Sequence, residues 1–179
     1  LISYLIQSHA LTEEDLRTFR PSICNRLDRN TSGIVAAGKS MAGLQSLSQM
    51  FHDRTIGKYY LCLTAGIIEK PSRVEGWLFK DERTNKVEIL FQERPGSARI
   101  ITEYRPIKSH DGVTLLEVHL ITGKTHQIRA HLAYLGKPVL GDIKYGNRKM
   151  NERTGTKTQA LCAVRITFRE IPEENTLHD

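Results

Sequence analysis

The run Ala98-Arg99-Ile100-Ile101-Thr102-Glu103-Tyr104-Arg105-Pro106-Ile107, the turn His110-Asp111-Gly112 and the run Leu115-Leu116-Glu117-Val118-His119-Leu120-Ile121 decide the fold. Both runs are rich in residues that suit a pleated sheet, and Asp-Gly supplies the turn that joins neighbouring strands. Strands linked this closely pair antiparallel, because a parallel partner needs a long crossover.

Outward from this hairpin, Lys58-Tyr59-Tyr60-Leu61-Cys62-Leu63 predicts a strand with Lys58, Tyr60 and Cys62 on one face and Tyr59, Leu61 and Leu63 on the other. Ala160 to Phe168 predicts another, with Cys162, Val164, Ile166 and Phe168 alternating against Arg165 and Thr167. Ile34 to Ala37 reads as a short buried strand, and Val87 to Phe91 as the one strand in a less regular stretch from Glu69 to Ser97. Helical spacing predicts an opening helix ending near Ser8-His9. A second starts at the capping run Thr12-Glu13-Glu14-Asp15, carries Leu16 and Phe19, and is stopped by Pro21. Ser40 caps a third, with Met41, Leu44, Leu47 and Phe51 in phase. The fourth runs from about Thr125 to Leu135, turns Ile128, Leu132 and Leu135 inward, and ends at Gly136. The expectation is an α+β fold: one domain over residues 1–179, on a largely antiparallel mixed sheet with flanking helices.

With 179 residues the chain can build one proper core. Its 26 Lys+Arg against 20 Asp+Glu give a net charge of +6, which suits a polyanionic partner such as RNA or DNA and also serves solubility. Cys24, Cys62 and Cys162 lie far apart, without zinc spacing or a disulfide framework, so a reducing cytoplasm and packing as small apolar groups are expected. No apolar run approaches the roughly 20 residues of a membrane helix. The chain opens at Leu1 inside a helical pattern, and reads as the excised part of something longer.

Two motifs carry chemistry. In Asn25-Arg26-Leu27-Asp28-Arg29-Asn30-Thr31-Ser32-Gly33 an acid stands between two arginines and leads into turn-forming residues. Positive neighbours favour the charged form of a carboxylate, and such a loop can display it. A solvated surface loop has the same composition. The second motif is Thr122-Gly123-Lys124-Thr125-His126-Gln127-Ile128-Arg129, at a strand-to-helix junction. A phosphate loop would need glycine where Val118 stands, so triphosphate binding is rejected. What survives is a helix start beside Lys124, favourable to an anion such as a nucleic-acid phosphate. Arg129 lies beside core positions and therefore needs either an acidic partner or a route to water for its head. His126 and His131 are five apart and point in different directions, which argues against a metal pair. Asp142 reads as a turn residue, and Tyr60 as an ordinary strand aromatic.

Together these stretches resemble a known family. Arg26-Leu27-Asp28 with Thr31-Ser32-Gly33 is similar to the first motif of the RluA-type pseudouridine synthases, and Lys58-x-Tyr60 to the second. Thr122 to Arg129, with His131-Leu132, Gly136-x-Pro138 and Gly141-Asp142, resembles the third. The resemblance runs from about Pro21 to Gly146 and implies the fold of that family. It implies an isomerase that converts uridine to pseudouridine in RNA, detaching the base, turning it and rejoining it to the sugar through carbon.

Carried over residue by residue, Asp28 is the catalytic carboxylate, attacking the sugar C1′ or C6 of the base. Tyr60 packs against the base, and Arg129 pairs with the aspartate. Arg26 helps hold RNA with the target nucleotide turned out. Arg29, Lys58, Lys124 and His126 complete the candidate RNA contacts. The resemblance implies no metal or cofactor, RNA as partner (ribosomal RNA first, transfer RNA second), no membrane, a monomer and a cytoplasmic location. Asn25 stands where the family commonly has His, and Lys124 where arginine is common, which loses the planar fork. The family's opening Lys-Pro strand and small RNA-binding domain are expected upstream of Leu1. The rival readings are an RNA-binding module without turnover and a hydrolase of small nucleosides.

Overall fold

In the computed structural model, which describes residues 1–84 and 86–168, the elements run α1 (Ile2–Gln7), α2 (Asp15–Thr18), β1 (Ser22–Ile23), β2 (Ser32–Gly33), β3 (Ala37–Gly38), α3 (Met41–His52), β4 (Ile56–Ala65), β5 (Ser72–Asp81), β6 (Lys86–Leu90), β7 (Ser97–His110), β8 (Val113–Leu120), α4 (Gln127–Tyr134), α5 (Arg148–Thr154) and β9 (Leu161–Phe168). The described residues divide into two units, one built from residues 1–27, 35–56 and 167–168, the other from residues 28–34, 57–84 and 86–166.

In the first unit, Thr12 and Asp15 exchange the reciprocal bonds of a helix start: Thr12 N–H donates to Asp15 Oδ2 at 2.8 Å, and Asp15 N–H to Thr12 Oγ1 at 3.2 Å. Ser40 Oγ accepts from the Gly43 N–H at 3.1 Å, capping α3 as expected. The buried face of α3 is Leu47 and Met50, while Met41 is exposed. β1 and β3 pair antiparallel, and Asn25 Oδ1 accepts from the Ala36 N–H at 2.7 Å.

The second unit holds a seven-stranded sheet in the order β2-β9-β4-β8-β7-β5-β6. β2–β9 is parallel, and the β4–β8, β8–β7, β7–β5 and β5–β6 pairings are antiparallel. The expected hairpin forms its centre: β7 and β8 turn through Asp111 and Gly112, both at positive φ. Pro106 sits at a bulge in β7, where register shifts and a missing N–H is tolerated. On one face Tyr60 and Cys62 of β4 are buried with Leu116 and Val118 of β8. On the other, Tyr59 stacks on His119 with ring centres 4.5 Å apart, and Arg165 lies 3.8 Å over Tyr59. Glu103 there binds His119 at 2.9 Å and Arg73 at 2.7 Å. The face assignment of β4 is therefore the one its alternation predicts.

Four expectations need correcting. Residues 34–37 are not a buried strand: Ile34 and Val35 are exposed, and pairing falls instead on Ser32-Gly33 and Ala37-Gly38. The stretch between them is where the chain passes from the second unit to the first. β5 lies in the stretch read as irregular; its Arg73 and Glu75 are tied into ion pairs on an open face, which masks the apolar alternation. In β9 the buried residues are Leu161 and Ala163, with Val164 and Phe168 exposed, the reverse of the predicted phase. The short helix α5 was not expected. No helix among the described residues is long and apolar enough to cross a membrane.

Candidate active site

The loop after Leu27 turns through a bond from the Thr31 N–H to the Asp28 carbonyl at 2.9 Å, with Asn30 at φ 70°. Gly33 then meets β9 so closely that a Cβ there would lie 2.1 Å from the Ala163 carbonyl oxygen, at a φ of 115° that side chains rarely adopt. Gln159 Nε2 donates to Thr31 Oγ1 at 2.6 Å. These contacts fix the backbone that carries Asp28, whose side chain keeps 24% of its surface open.

α4 is buried along six consecutive residues, Gln127 to Leu132, so its polar side chains must be satisfied from within. Gln127 achieves this with four bonds. Its Oε1 accepts from Thr122 Oγ1 at 2.9 Å and the Lys124 N–H at 3.1 Å. Its Nε2 donates to the Ile101 carbonyl at 3.1 Å and Thr102 Oγ1 at 3.0 Å. His131 Nδ1 meets the same Thr102 hydroxyl at 3.1 Å, and burial pushes its imidazole down to about 4. Much of the Thr122–Arg129 motif thus seats a helix.

That seating positions Arg129. Its Nη1 donates to Asp28 Oδ2 at 3.2 Å, across 101 positions of sequence. Its Nε and Nη2 donate to Asp142 Oδ2 and Oδ1 at 2.7 and 3.0 Å. Burial works against the guanidinium's charge, but the bonds to Asp142 and Asp28 outweigh it and hold Arg129 above its ordinary value. Asp142 is fully buried; burial opposes its charge, yet Arg129 and the N–H groups of Tyr145 and Lys144 keep it below the usual carboxylate range. Asp28 draws its ion pair from Arg129, not from Arg26 or Arg29, its exposed sequence neighbours.

Tyr60 reaches this centre from β4. Burial first, and then the negative charge of Asp28, push its phenol above the ordinary value, so the hydroxyl keeps its proton at neutral pH. Lys58, two residues earlier, sits against the third motif: a Cβ added to Gly123 would lie 3.1 Å from its Nζ. Lys124 is exposed on the same loop. His126 takes the left-handed conformation, φ 55°, and its Nδ1 bonds the Tyr145 hydroxyl at 3.0 Å. Burial lowers its imidazole, with Asp28 and Asp142 pulling the other way.

Two site residues escaped the sequence reading. Asp142 does hold a turn, accepting from the N–H groups of Lys144 and Tyr145 at 2.8 and 3.0 Å, but it is also the main partner of Arg129. Tyr145 packs its ring 5.3 Å from the Arg129 guanidinium and accepts the Val87 N–H at 3.1 Å. The unmet need of a near-core arginine was the available signal for Asp142; nothing local marked Tyr145. The segment before Asp142 is held by β4: Leu140 N–H donates to the Leu63 carbonyl at 2.8 Å, and Ala65 N–H to the Pro138 carbonyl at 2.9 Å. Of the three cysteines, Cys62 is buried and its thiol pushed up to about 12, as an inert packing residue would be.

The centre therefore combines a partly open carboxylate, a buried arginine that holds it, and a buried phenol alongside. Such a carboxylate can stabilise or capture an electron-poor carbon. The sequence profile of the family described as RNA pseudouridylate synthase matches residues 4–134. The chain is 32% identical over 173 residues to ribosomal large subunit pseudouridine synthase C of Vibrio cholerae, covering 92% of this chain and 54% of that protein. It is 36% identical over 154 residues to the chloroplastic RNA pseudouridine synthase 2 of Oryza sativa, covering 82% and 32%. It spans about half the length of the bacterial relatives it matches. Among solved structures, human RNA pseudouridylate synthase domain containing 1 superposes with a TM-score of 0.71 and 26% identity, over 83% of this chain and 64% of that one. The chain belongs to the RNA pseudouridylate synthase family, in its RluA-type branch.

Proposed function

We propose that the protein isomerises specific uridines of structured RNA to pseudouridine, that large-subunit ribosomal RNA is its target, and that Asp28 is the reacting carboxylate. The observation that carries this reading is the 3.2 Å bond from buried Arg129 to a carboxylate that is still one-quarter exposed. The pair joins a cation closed to solvent with an acid that stays open to a reactant. In the proposed reaction the bond from C1′ to N1 breaks and the base turns. A bond from C1′ to C5 replaces it, C5 gives up its proton and N1 gains one, so nothing is added or lost. Asp28 acts at the electron-poor C1′, or at C6 in the alternative route, and is released when the new bond closes.

Tyr60 offers a stacking surface to a base turned out of its helix. Arg26, Arg29, Lys58, Lys124 and His126 are proposed as RNA contacts. The choice of ribosomal RNA follows from the names of the bacterial relatives, which act on the large subunit.

Mapping pseudouridine in cellular RNA with and without the gene tests this. The expected result is loss of one or more sites in large-subunit ribosomal RNA, restored by the wild-type gene and not by Asp28→Asn. Loss confined to transfer RNA would move the target. Full retention in both RNAs would sink the enzyme reading in favour of an RNA-binding module.

A further inference from the structure

Asp142 spends both of its oxygens on N–H groups. Oδ2 accepts from Arg129 Nε at 2.7 Å; Oδ1 accepts from Arg129 Nη2 at 3.0 Å, the Lys144 N–H at 2.8 Å and the Tyr145 N–H at 3.0 Å. This two-toothed contact sets the plane of the guanidinium and uses up its Nε–Nη2 edge. Of the three N–H groups that remain on Nη1 and Nη2, only one on Nη1 reaches Asp28, and it meets a single oxygen, Oδ2. Among the described residues, no hydrogen bond reaches the other oxygen of Asp28.

An arginine facing a lone carboxylate takes it by the fork, engaging both oxygens. We infer that Asp142 is a positioning residue that turns the fork of Arg129 away from Asp28, so that Asp28 is held by one hydrogen bond and keeps an oxygen available to the reacting nucleotide. The turn that presents Asp142 supports this role. Gly141 precedes it at φ 73°, and a Cβ there would lie 1.9 Å from the Thr158 carbonyl oxygen. The Asp142 carboxylate is closed to solvent, so its orientation is set by the protein.

The inference rests on Asp28 being the reacting carboxylate, and Asp28→Asn tests that premise separately: an active Asp28→Asn protein overturns the premise itself. Asp142→Asn in the full-length protein tests the inference. An amide can keep its oxygen on the Lys144 and Tyr145 N–H groups, but its NH2 then faces the Arg129 Nε–H, donor against donor. The turn is retained and the fork is broken. The single-turnover rate on RNA is expected to fall by about 10²-fold, as misplacement of a reacting group by an ångström does. RNA affinity should stay within about threefold, since Asp28, Arg129 and Asp142 contact no phosphate in the proposed mechanism.

A double-mutant cycle with Arg129→Lys separates positioning from scaffolding. Lysine keeps the charge but has no fork, so Asp142→Asn should cost at most about threefold more in that background. Equal losses from Asp142→Asn in both backgrounds would overturn the inference, and so would an unchanged rate in the single variant. Should Asp142→Asn fail to fold, Arg129→Lys decides alone: slower turnover with RNA affinity kept supports the fork, and wild-type turnover overturns it.

Discussion

Asp28 is flanked in sequence by Arg26 and Arg29, yet its cation is Arg129. Neighbours on an irregular loop go where the backbone sends them, whereas α4 aims Arg129 from a buried, hydrogen-bonded seat. The exchange matters because an exposed arginine is screened and mobile, while one closed to solvent acts at short range. Removing Arg129 should therefore do two separable things. Arg129→Met should cut turnover far more than RNA affinity, by about 10²-fold or more if the group acts only on the reacting carboxylate. Equal loss of both would make Arg129 a phosphate contact instead. It should also lower stability by about 3–5 kcal/mol, because Asp142 is left as a buried, unpaired charge. Urea unfolding of Arg129→Met beside Asp142→Asn checks the second part. Near-equal stabilities of Arg129→Met and wild type would show that water reaches Asp142.

At the scale of the element, α4 shows why a motif can be read correctly and its roles assigned unevenly. The periodicity of Ile128, Leu132 and Leu135 placed the helix, but its interior also takes Gln127, Arg129 and His131. Gln127 is the keystone, with all four of its amide bonds made inside the protein. Gln127→Leu keeps the size but removes four hydrogen bonds and strands the Lys124 N–H, while the hydroxyls of Thr122 and Thr102 keep their contacts with Ile101 and His131. A stranded group costs about 1–3 kcal/mol, so a thermal melt should show a loss of at least that size. A change below about 0.5 kcal/mol, the size of an ordinary surface substitution, would mean that water substitutes for the amide. β2 gives a matching test on the other wall of the site. Gly33→Ala must push against the Ala163 backbone and accept φ 115°, so folding or turnover should fail where Ser32→Ala is tolerated.

For the whole molecule, pH and salt act on different parts. The imidazole of His131 titrates near 6.5 when unfolded and near 4 when folded. As pH falls through 6.5 the unfolded chain takes a proton that the folded chain refuses until about 4, so stability is lost across that window and levels off below it. Full expression of the shift is worth about 3 kcal/mol. His131→Gln should flatten the dependence of unfolding free energy on pH between 4 and 6.5; an unchanged slope would show that the folded protein admits the proton. Salt should act on the RNA instead. If Arg26, Arg29, Lys58 and Lys124 meet phosphates, affinity falls steeply with salt, and each substitution to Ala lowers the slope by about one. A flat salt dependence would favour a nucleoside-sized substrate over a polymer.

Local chemistry was enough to read the β7–β8 hairpin, the face of Tyr60, the Ser40 cap and the three motifs, because alternation, capping and turn residues act over a few positions. It failed for residues 34–37, where four apolar residues mark a passage between units rather than a strand. It failed for β5, whose ion-paired open face hides the alternation, and for β9, whose buried side depends on which strands flank it. The sequence by itself determined the family and marked Asp28 and Tyr60 as candidates, since those are carried by residue identity in compact motifs. Only the tertiary structure decided that Arg129 is shared between Asp28 and Asp142, and that Tyr145 braces it. Those partners are brought together by the sheet and α4 from distant positions, and no spacing along the chain encodes which of several acids a buried arginine will meet.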